Sequence, residues 1–350
     1  MTAVPLPPNP AASDPAAEAR ALNQRAIARL VQGDLEGALA DFRRCVELDP
    51  GYAEAWNNSG LVRQRLGRLA EARADFDQAL ALRPHYTEAL NNRGQARQRS
   101  GDVDGALADF DRALACATHR FAASVLHNRG ALRQRLGDLP GALADFNRAL
   151  EINPGHVATC IHRGTARKEA NDLTGALADF DFALERVAPD QSAAVYHHRG
   201  GVKVLLNDIV GALADYNVAL ALAPGNPVFH ISRGNARYHR RDPHALADYR
   251  TAWRLDADAT AREVARMVAD DARRDAERVL ENCRKHLRIS PRNTFALARR
   301  GLTLLVLGRP AEAEGDLGQA RALEPEFRPL LERVTEQVRV RASSDSPTKS

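Results

Sequence analysis

The chain has 350 residues, 49 basic against 45 acidic for a formal charge of +4, with 44% hydrophobic and only 5% aromatic residues. The two signs are interleaved, with no Lys/Arg stripe to suit nucleic acid. No stretch approaches the length of a membrane span. Four cysteines (Cys45, Cys116, Cys160, Cys283) stand far apart without a C-x-x-C pair, which excludes a zinc knuckle or dithiol motif and fits a reducing compartment.

Most of the apolar content is Ala and Leu, strong helix formers, while β-branched clusters and hairpin turn pairs are scarce. An all-α protein is expected. The opening MTAVPLPPNPAASDP has no basic residue before Arg20 and no signal-peptide core, so the expected location is cytoplasmic. Residues 1–13 and 342–350 read as disordered tails. Folding is expected to begin at Asp14, an N-cap followed by Pro15 at the first helical position.

From there one phrase recurs. GALADF stands at Gly37–Phe42, Gly105–Phe110, Gly141–Phe146 and Gly175–Phe180. GALADY follows at Gly211–Tyr216, with variants at Glu71–Phe76 and His244–Tyr249. A spacing of about 34 to 36 residues makes this a packing unit rather than a catalytic motif. Units begin near residues 19, 53, 87, 123, 157, 193, 227, 260 and 294. In register stand a small residue at position 8 (Ala26, Gly60, Gly94, Gly130, Gly164, Gly200, Gly234, Gly301), Ala at position 20 and an aromatic at position 24. Often there is a proline near position 32, as at Pro50, Pro84, Pro154, Pro224 and Pro325.

The turns agree with two helices per unit. Gly33, Gly67, Gly101, Gly137, Asn171 and Asn207 are residue types that tolerate the left-handed conformation closing a helix. An Asp after most of them can cap the next helix. The pattern changes at 244–290, which contains neither Gly nor Pro. In the unit 260–293 Met267, Val279, Cys283 and His286 replace the expected residues, so its helices are expected to be longer, or fused across Asp270-Asp271. The unit at 294 recovers the pattern. Leu330, Leu331, Val334 and Val338 then form one apolar stripe, expected to cap the stack as a helix over 328–341.

This pattern resembles the tetratricopeptide repeat, with the unit 53–86 the closest match through Trp56, Gly60, Ala72, Phe76, Ala79 and Pro84. The resemblance covers about 19–327. It implies a right-handed superhelical solenoid of antiparallel helix pairs over 14–327, nine repeats with the one at 260–293 degenerate, whose first helices line a concave groove.

Arg recurs at position 7 (Arg25, Arg93, Arg129, Arg163, Arg199, Arg233, Arg300) and Asp at position 23. Recurrence of both signs together points to a structural bridge within a hairpin or between neighbours. Position 6 is less uniform: Gln24, Asn58, Asn92, Asn128, His162, His198, Ser232. Its asparagines resemble the amide ladder of the repeat region of O-linked N-acetylglucosamine transferases, which implies that they hold the backbone of an extended peptide. An amide donates and accepts, as sequence-tolerant backbone recognition requires. The candidate groove residues are therefore Asn57, Asn58, Arg65, Asn91, Asn92, Arg99, Asn128, Arg135, His162 and His198. A carboxylate clamp wants Asn after the position-8 Gly, and only Asn235 fits. His127, His162, His197 and His198 lack the i, i+4 spacing and convergence of a metal site, so no metal or cofactor is expected.

No Walker-type loop, nucleophile elbow or Cys/His pair is present. The chain reads as a scaffold rather than an enzyme, its partner a protein or peptide, with no nucleic acid or membrane; self-association is compatible with the pattern. The alternative is a regulatory or docking subunit contacting an enzyme through 244–293, with Arg273, Arg274 and Arg278 as its surface charges.

Overall fold

The computed structural model describes residues 14–344 apart from 241 and 243. The tail expected at 1–13 lies outside the described residues, as does 345–350 of the one expected from 342. Among the described residues there are eighteen α-helices, two short 3-10 helices and no strand. They fall into two compact units, one ending at Ala170 and the other beginning at Asn171.

The first unit holds α1 (Pro15–Gln32), α2 (Leu35–Leu48), α3 (Ala53–Arg65), α4 (Leu69–Leu82), α5 (Thr87–Arg99), α6 (Val103–Cys116), α7 (His119–Arg135), α8 (Leu139–Ile152) and α9 (Val157–Glu169). The second holds α10 (Leu173–Leu184), α11 (Ala193–Leu205), α12 (Ile209–Leu222), α13 (Pro227–His239), α14 (Ala245–Leu255), α15 (Ala257–Ile289), α16 (Thr294–Val306), α17 (Pro310–Leu323) and α18 (Arg328–Ser344). Within each unit consecutive helices pair as hairpins and each hairpin packs on the next.

The turns take the expected geometry. Gly33, Gly67, Gly101, Gly137, Gly308, Asn171 and Asn207 all have φ between 64° and 86°, where a Cβ is costly for most residues. The next residue caps the following helix: Asp34, Asp102, Asp138, Asp172 and Asp208 each accept from the backbone N–H three residues on. That third residue is the Gly that opens the repeated phrase. A Cβ on Gly37, Gly141 or Gly211 would run into the capping carboxylate. Where the cap is absent the glycine is absent too, since Arg68 is followed by Glu71 and Arg309 by Glu312.

The hairpin core depends on the position-8 glycine. A Cβ built on Gly60 or Gly94 would lie 2.7 Å from Cε1 of Phe76 or Phe110, and one on Gly130 or Gly200 2.8 Å from that atom of Phe146 or Tyr216. These rings are buried, at 4% exposure or less. The ring therefore lies flat against the backbone of the first helix, where no side chain fits. Ala113, Ala149 and Ala219, one turn along the second helix, are likewise buried and leave room for the next hairpin.

The unit 260–293 departs as its composition suggested. Its two helices form one run, Ala257–Ile289, interrupted at Asp275, whose backbone is extended (φ −165°, ψ 77°). The helix runs on through Asp270-Asp271, and the break lies four residues beyond Asp271. Asp275 accepts from the N–H of Arg278 and so caps the second half. Without a glycine for a left-handed turn, the chain changes direction at this one extended residue. The terminal helix α18 buries Leu330, Leu331, Val334 and Val338 at 1–3% exposure, packs on α15 and α16, and continues to Ser344.

Two glycine substitutions distinguish close packing from helix propensity. Gly94→Ala should lower stability by about 1–3 kcal/mol through overpacking against Phe110. Gly315→Ala, at an exposed mid-helix site with nothing within 4 Å of the new Cβ, should raise it by about 0.5–1 kcal/mol. Denaturant midpoints of the two variants check both signs.

Candidate functional site

The charges that recur through the repeats are used internally. Arg93 donates from Nε and Nη2 to both carboxylate oxygens of Asp109, at 2.9 and 2.6 Å, and from Nη1 to Asp77 of the preceding hairpin, at 2.6 Å. Arg97, one turn on, adds a bond of 2.8 Å to Asp109. Arg129 and Arg133 repeat this around Asp145, with Asp111 as the neighbour's acid. Arg199 and Lys203 do so around Asp215, with Asp181. The position-7 side chain is thus a bridge within its hairpin and a bridge to the previous one. The cation at position 11 was not singled out from the sequence, although its periodicity (Arg29, Arg63, Arg97, Arg133) was there to be read.

The second repeat departs from this pattern by lacking the position-7 cation. The position facing the preceding hairpin is Arg43, and the residue that should bridge to it is Ser59. Ser59 donates to Asp75 at 2.7 Å and Arg63 at 2.6 Å, so only one guanidinium serves a buried carboxylate. Burial pushes the Asp75 carboxyl up, against the Ser59 hydrogen bond and the Arg63 charge. Neutralising Asp75 should therefore cost less than neutralising Asp109. Asp109→Asn is expected to lose about 3–5 kcal/mol, as when a buried pair loses one partner, and Asp75→Asn about half of that or less. Urea midpoints give the comparison.

With positions 7, 8 and 11 turned toward the second helix, about 100° per residue places positions 2, 6, 9 and 13 on the opposite face. In α3, α5 and α7 that face carries Glu54, Asn58, Leu61 and Arg65; Glu88, Asn92, Gln95 and Arg99; and Ser124, Asn128, Ala131 and Arg135. The position-6 amides are not free ligands. Asn58, Asn92 and Asn128 each donate from Nδ2 to the residue at position 5 in the previous hairpin: Asn23 at 3.4 Å, Asn57 at 3.0 Å and Asn91 at 2.9 Å. Asn57 is buried and donates to Asn58. The asparagines form a ladder that ties successive first helices together.

Part of that ladder remains unsatisfied by protein. The carbonyl oxygens of Asn92 and Asn128 and the Nδ2 of Asn91 have no protein partner among the described residues, and all three side chains are partly exposed. Arg65, Arg99 and Arg135 are exposed, each the last residue of its helix, and none is ion-paired among the described residues. Asn235, the residue that fitted a clamp, accepts from the Tyr249 hydroxyl and donates to the sulfur of Met267.

At the fifth repeat the row changes to histidine. His127 shares Thr159 with His156, through Nδ1 contacts of 2.9 and 2.5 Å. Its ring packs on His162 at 5.1 Å and His156 at 5.3 Å between centroids. These are ring contacts rather than converging nitrogens, and among the described residues no three His, Cys, Asp or Glu side chains form a metal site. In the second unit His198 stacks on Phe180, and His197 reaches Ser232 at 2.8 Å, repeating the position-5 to position-6 link.

Burial, with the charges of His162 and His156, pushes the His127 imidazole down to about 4. A depressed pKa keeps the ring neutral in the fold, so stability is full above about pH 6.5 and falls as pH drops toward 4. His127→Asn, which restores the amide found at position 5 in the preceding repeats, should remove about 2 kcal/mol of that acid loss. Thermal unfolding of both proteins at pH 7 and pH 4.5 tests it.

In the divergent segment Arg273, Arg274 and Arg278 are all exposed. Arg274 and Arg278 line a cavity of about 400 Å³ together with Tyr238, Asp271, Cys283 and Arg299. The buried Arg299 pairs with Asp271. No helix among the described residues is long and apolar enough to cross a membrane.

The family profile described as tetratricopeptide repeat matches residues 19–52, 51–118 and 86–155. Among solved structures, a tetratricopeptide repeat protein from Parabacteroides merdae is similar at 19% identity and a TM-score of 0.53, over 69% of this chain and 94% of its own. PilF of Pseudomonas aeruginosa is similar at 18% identity and 0.57, over 64% and 99%. PilW, a type IV pilus biogenesis factor, is similar at 23% identity and 0.55, over 59% and 94%. No curated protein matches the sequence. Residues 19–155 are thus tetratricopeptide repeats by family profile, and hairpins, glycine-against-ring packing and repeat register give the chain the fold of a tetratricopeptide repeat solenoid.

Proposed function

We propose that the chain is a protein-interaction scaffold that holds an extended polypeptide segment along the outward face of α3, α5 and α7. The observation that carries this is the partly exposed amide ladder with atoms to spare. The carbonyl oxygens of Asn92 and Asn128 and the amide of Asn91 can pair with a peptide backbone while the inter-repeat bonds stay in place. Leu61, Gln95 and Ala131 beside them are partly exposed and carry no charge. Asn57, which donates to Asn58 and accepts from Asn92, and Asn58, which donates to Asn23, act mainly by holding the ladder in register. His162, and His198 in the second unit, stand at the same register and belong to the same kind of surface.

The oxygens of Asn92 and Asn128, rather than all three whole amides, are then the direct contacts, because each Nδ2 is bonded across hairpins. Removing all three amides together would loosen the stack as well as the face. Filling the face is the cleaner test. Peptides selected from a random display library on the full chain should lose binding to a Gln95→Trp/Ala131→Trp variant that keeps its thermal midpoint. Equal binding to that variant contradicts the proposal.

The alternative of docking through 244–293 is favoured by the cavity beneath Arg274 and Arg278. Charge reversal at both residues should leave binding of the selected peptides unchanged if the amide face holds them. Loss of binding on that reversal alone transfers the role to the divergent segment.

A further inference from the structure

Two features are confined to the same three consecutive repeats. Position 6 is asparagine only at Asn58, Asn92 and Asn128. Position 13 is arginine only at Arg65, Arg99 and Arg135, whereas the flanking repeats have Val31 and Glu169 there. Each Arg lies seven residues, about two turns, after its Asn, on the same face of the helix. A cation is favoured at any helix C-terminus, but α1 ends without one at this register and α9 has an acid. Charge complement for the helix end therefore does not explain the row. Nor does packing, because the packing arginines at positions 7 and 11 are bound to aspartates while these three have no such partner among the described residues.

The spacing selects the conformation of what would lie across them. First helices of successive hairpins touch, and helices in contact lie about 8–10 Å apart. An extended β-strand brings side chains to one side every second residue, about 6.6–6.8 Å apart, or every fourth, at about twice that. Neither spacing matches. A polyproline II segment turns once in three residues and rises about 3.1 Å per residue, so every third side chain returns to one side after about 9.3 Å. That conformation also leaves its backbone N–H and C=O groups unpaired, open to the amides of Asn91, Asn92 and Asn128.

Resting on the scaffold reading above, we propose that the partner segment is acidic, in polyproline II conformation, with a carboxylate at every third residue received by Arg65, Arg99 and Arg135 in turn. A guanidinium can take a carboxylate through two parallel N–H bonds, which makes the row sensitive to register. Glu169, next in the row and bonded to Gln134, ends the cationic track and repels a fourth carboxylate.

The test uses the full chain and two fluorescein-labelled nine-residue peptides of one composition, rich in Pro and Ala. One has three glutamates at every third position, the other at every second. Anisotropy titrations in about 50 mM salt should show several-fold tighter binding of the first. An Arg65→Gln/Arg99→Gln/Arg135→Gln variant should lose at least about ten-fold in affinity and lose the preference between peptides. An Arg44→Gln/Arg112→Gln/Arg148→Gln control, on second helices, should keep both. Equal binding of the two peptides, or an unchanged triple variant, overturns the acidic assignment. If display-selected peptides still bind in a face-dependent way, the scaffold reading survives that result; if the tryptophan-filled face binds them equally, the scaffold reading itself fails.

Discussion

Everything in this chain depends on the contact between a glycine on one helix and an aromatic ring on the next. Phe76, Phe110, Phe146 and Tyr216 lie where a single methyl group on the facing helix would intrude. Loss of such a ring leaves a cavity costing about 3–5 kcal/mol, while enlargement of the glycine forces the helices apart. Both halves of the contact are therefore restricted in these four hairpins, while the first hairpin accommodates Ala26 in one cluster with the buried Phe42. The last unit shows how tightly the pair is coupled, because Gly301 is retained where the ring is replaced by Leu317.

Close approach of two helices brings their polar residues together as well. Asp109, Asp145 and Asp215 are buried beside the ring and are tolerable there only because two cations reach each of them. The same arginines extend to the preceding hairpin, so charge pairing and stacking register are one device. Ser59 shows what happens when the neighbour offers Arg43 rather than an acid: the bridge shrinks to a hydroxyl and Asp75 is left with a single guanidinium. Repeats are thus matched to their neighbours, not merely copied.

Much of this was legible in the sequence because it is periodic. The turn residues at Gly33 through Asn207, the position-8 glycines, the rings and the pairing of Arg with Asp follow from register alone. What was hidden lies between repeats. The asparagines at positions 5 and 6 read as free recognition groups, whereas they bond across hairpins, since their partners are about 35 residues away and invisible to a local pattern. The run continues through Asp270-Asp271, and its break at Asp275 gave no signal in composition because an extended non-glycine residue makes it. The opening glycine of the phrase is required because the capping aspartate folds back over it, a contact that register alone does not reveal.

On the face of α3, α5 and α7 packing leaves Arg65, Arg99 and Arg135 and part of the amide ladder unaccounted for, and the proposed recognition rests on them. Hydrogen–deuterium exchange of the full chain, with and without the peptide bearing glutamate at every third position, tests this most directly. The account predicts added protection in α3, α5 and α7 and none specific to 257–289. Protection confined to the second helices, or centred on the divergent segment, would contradict it.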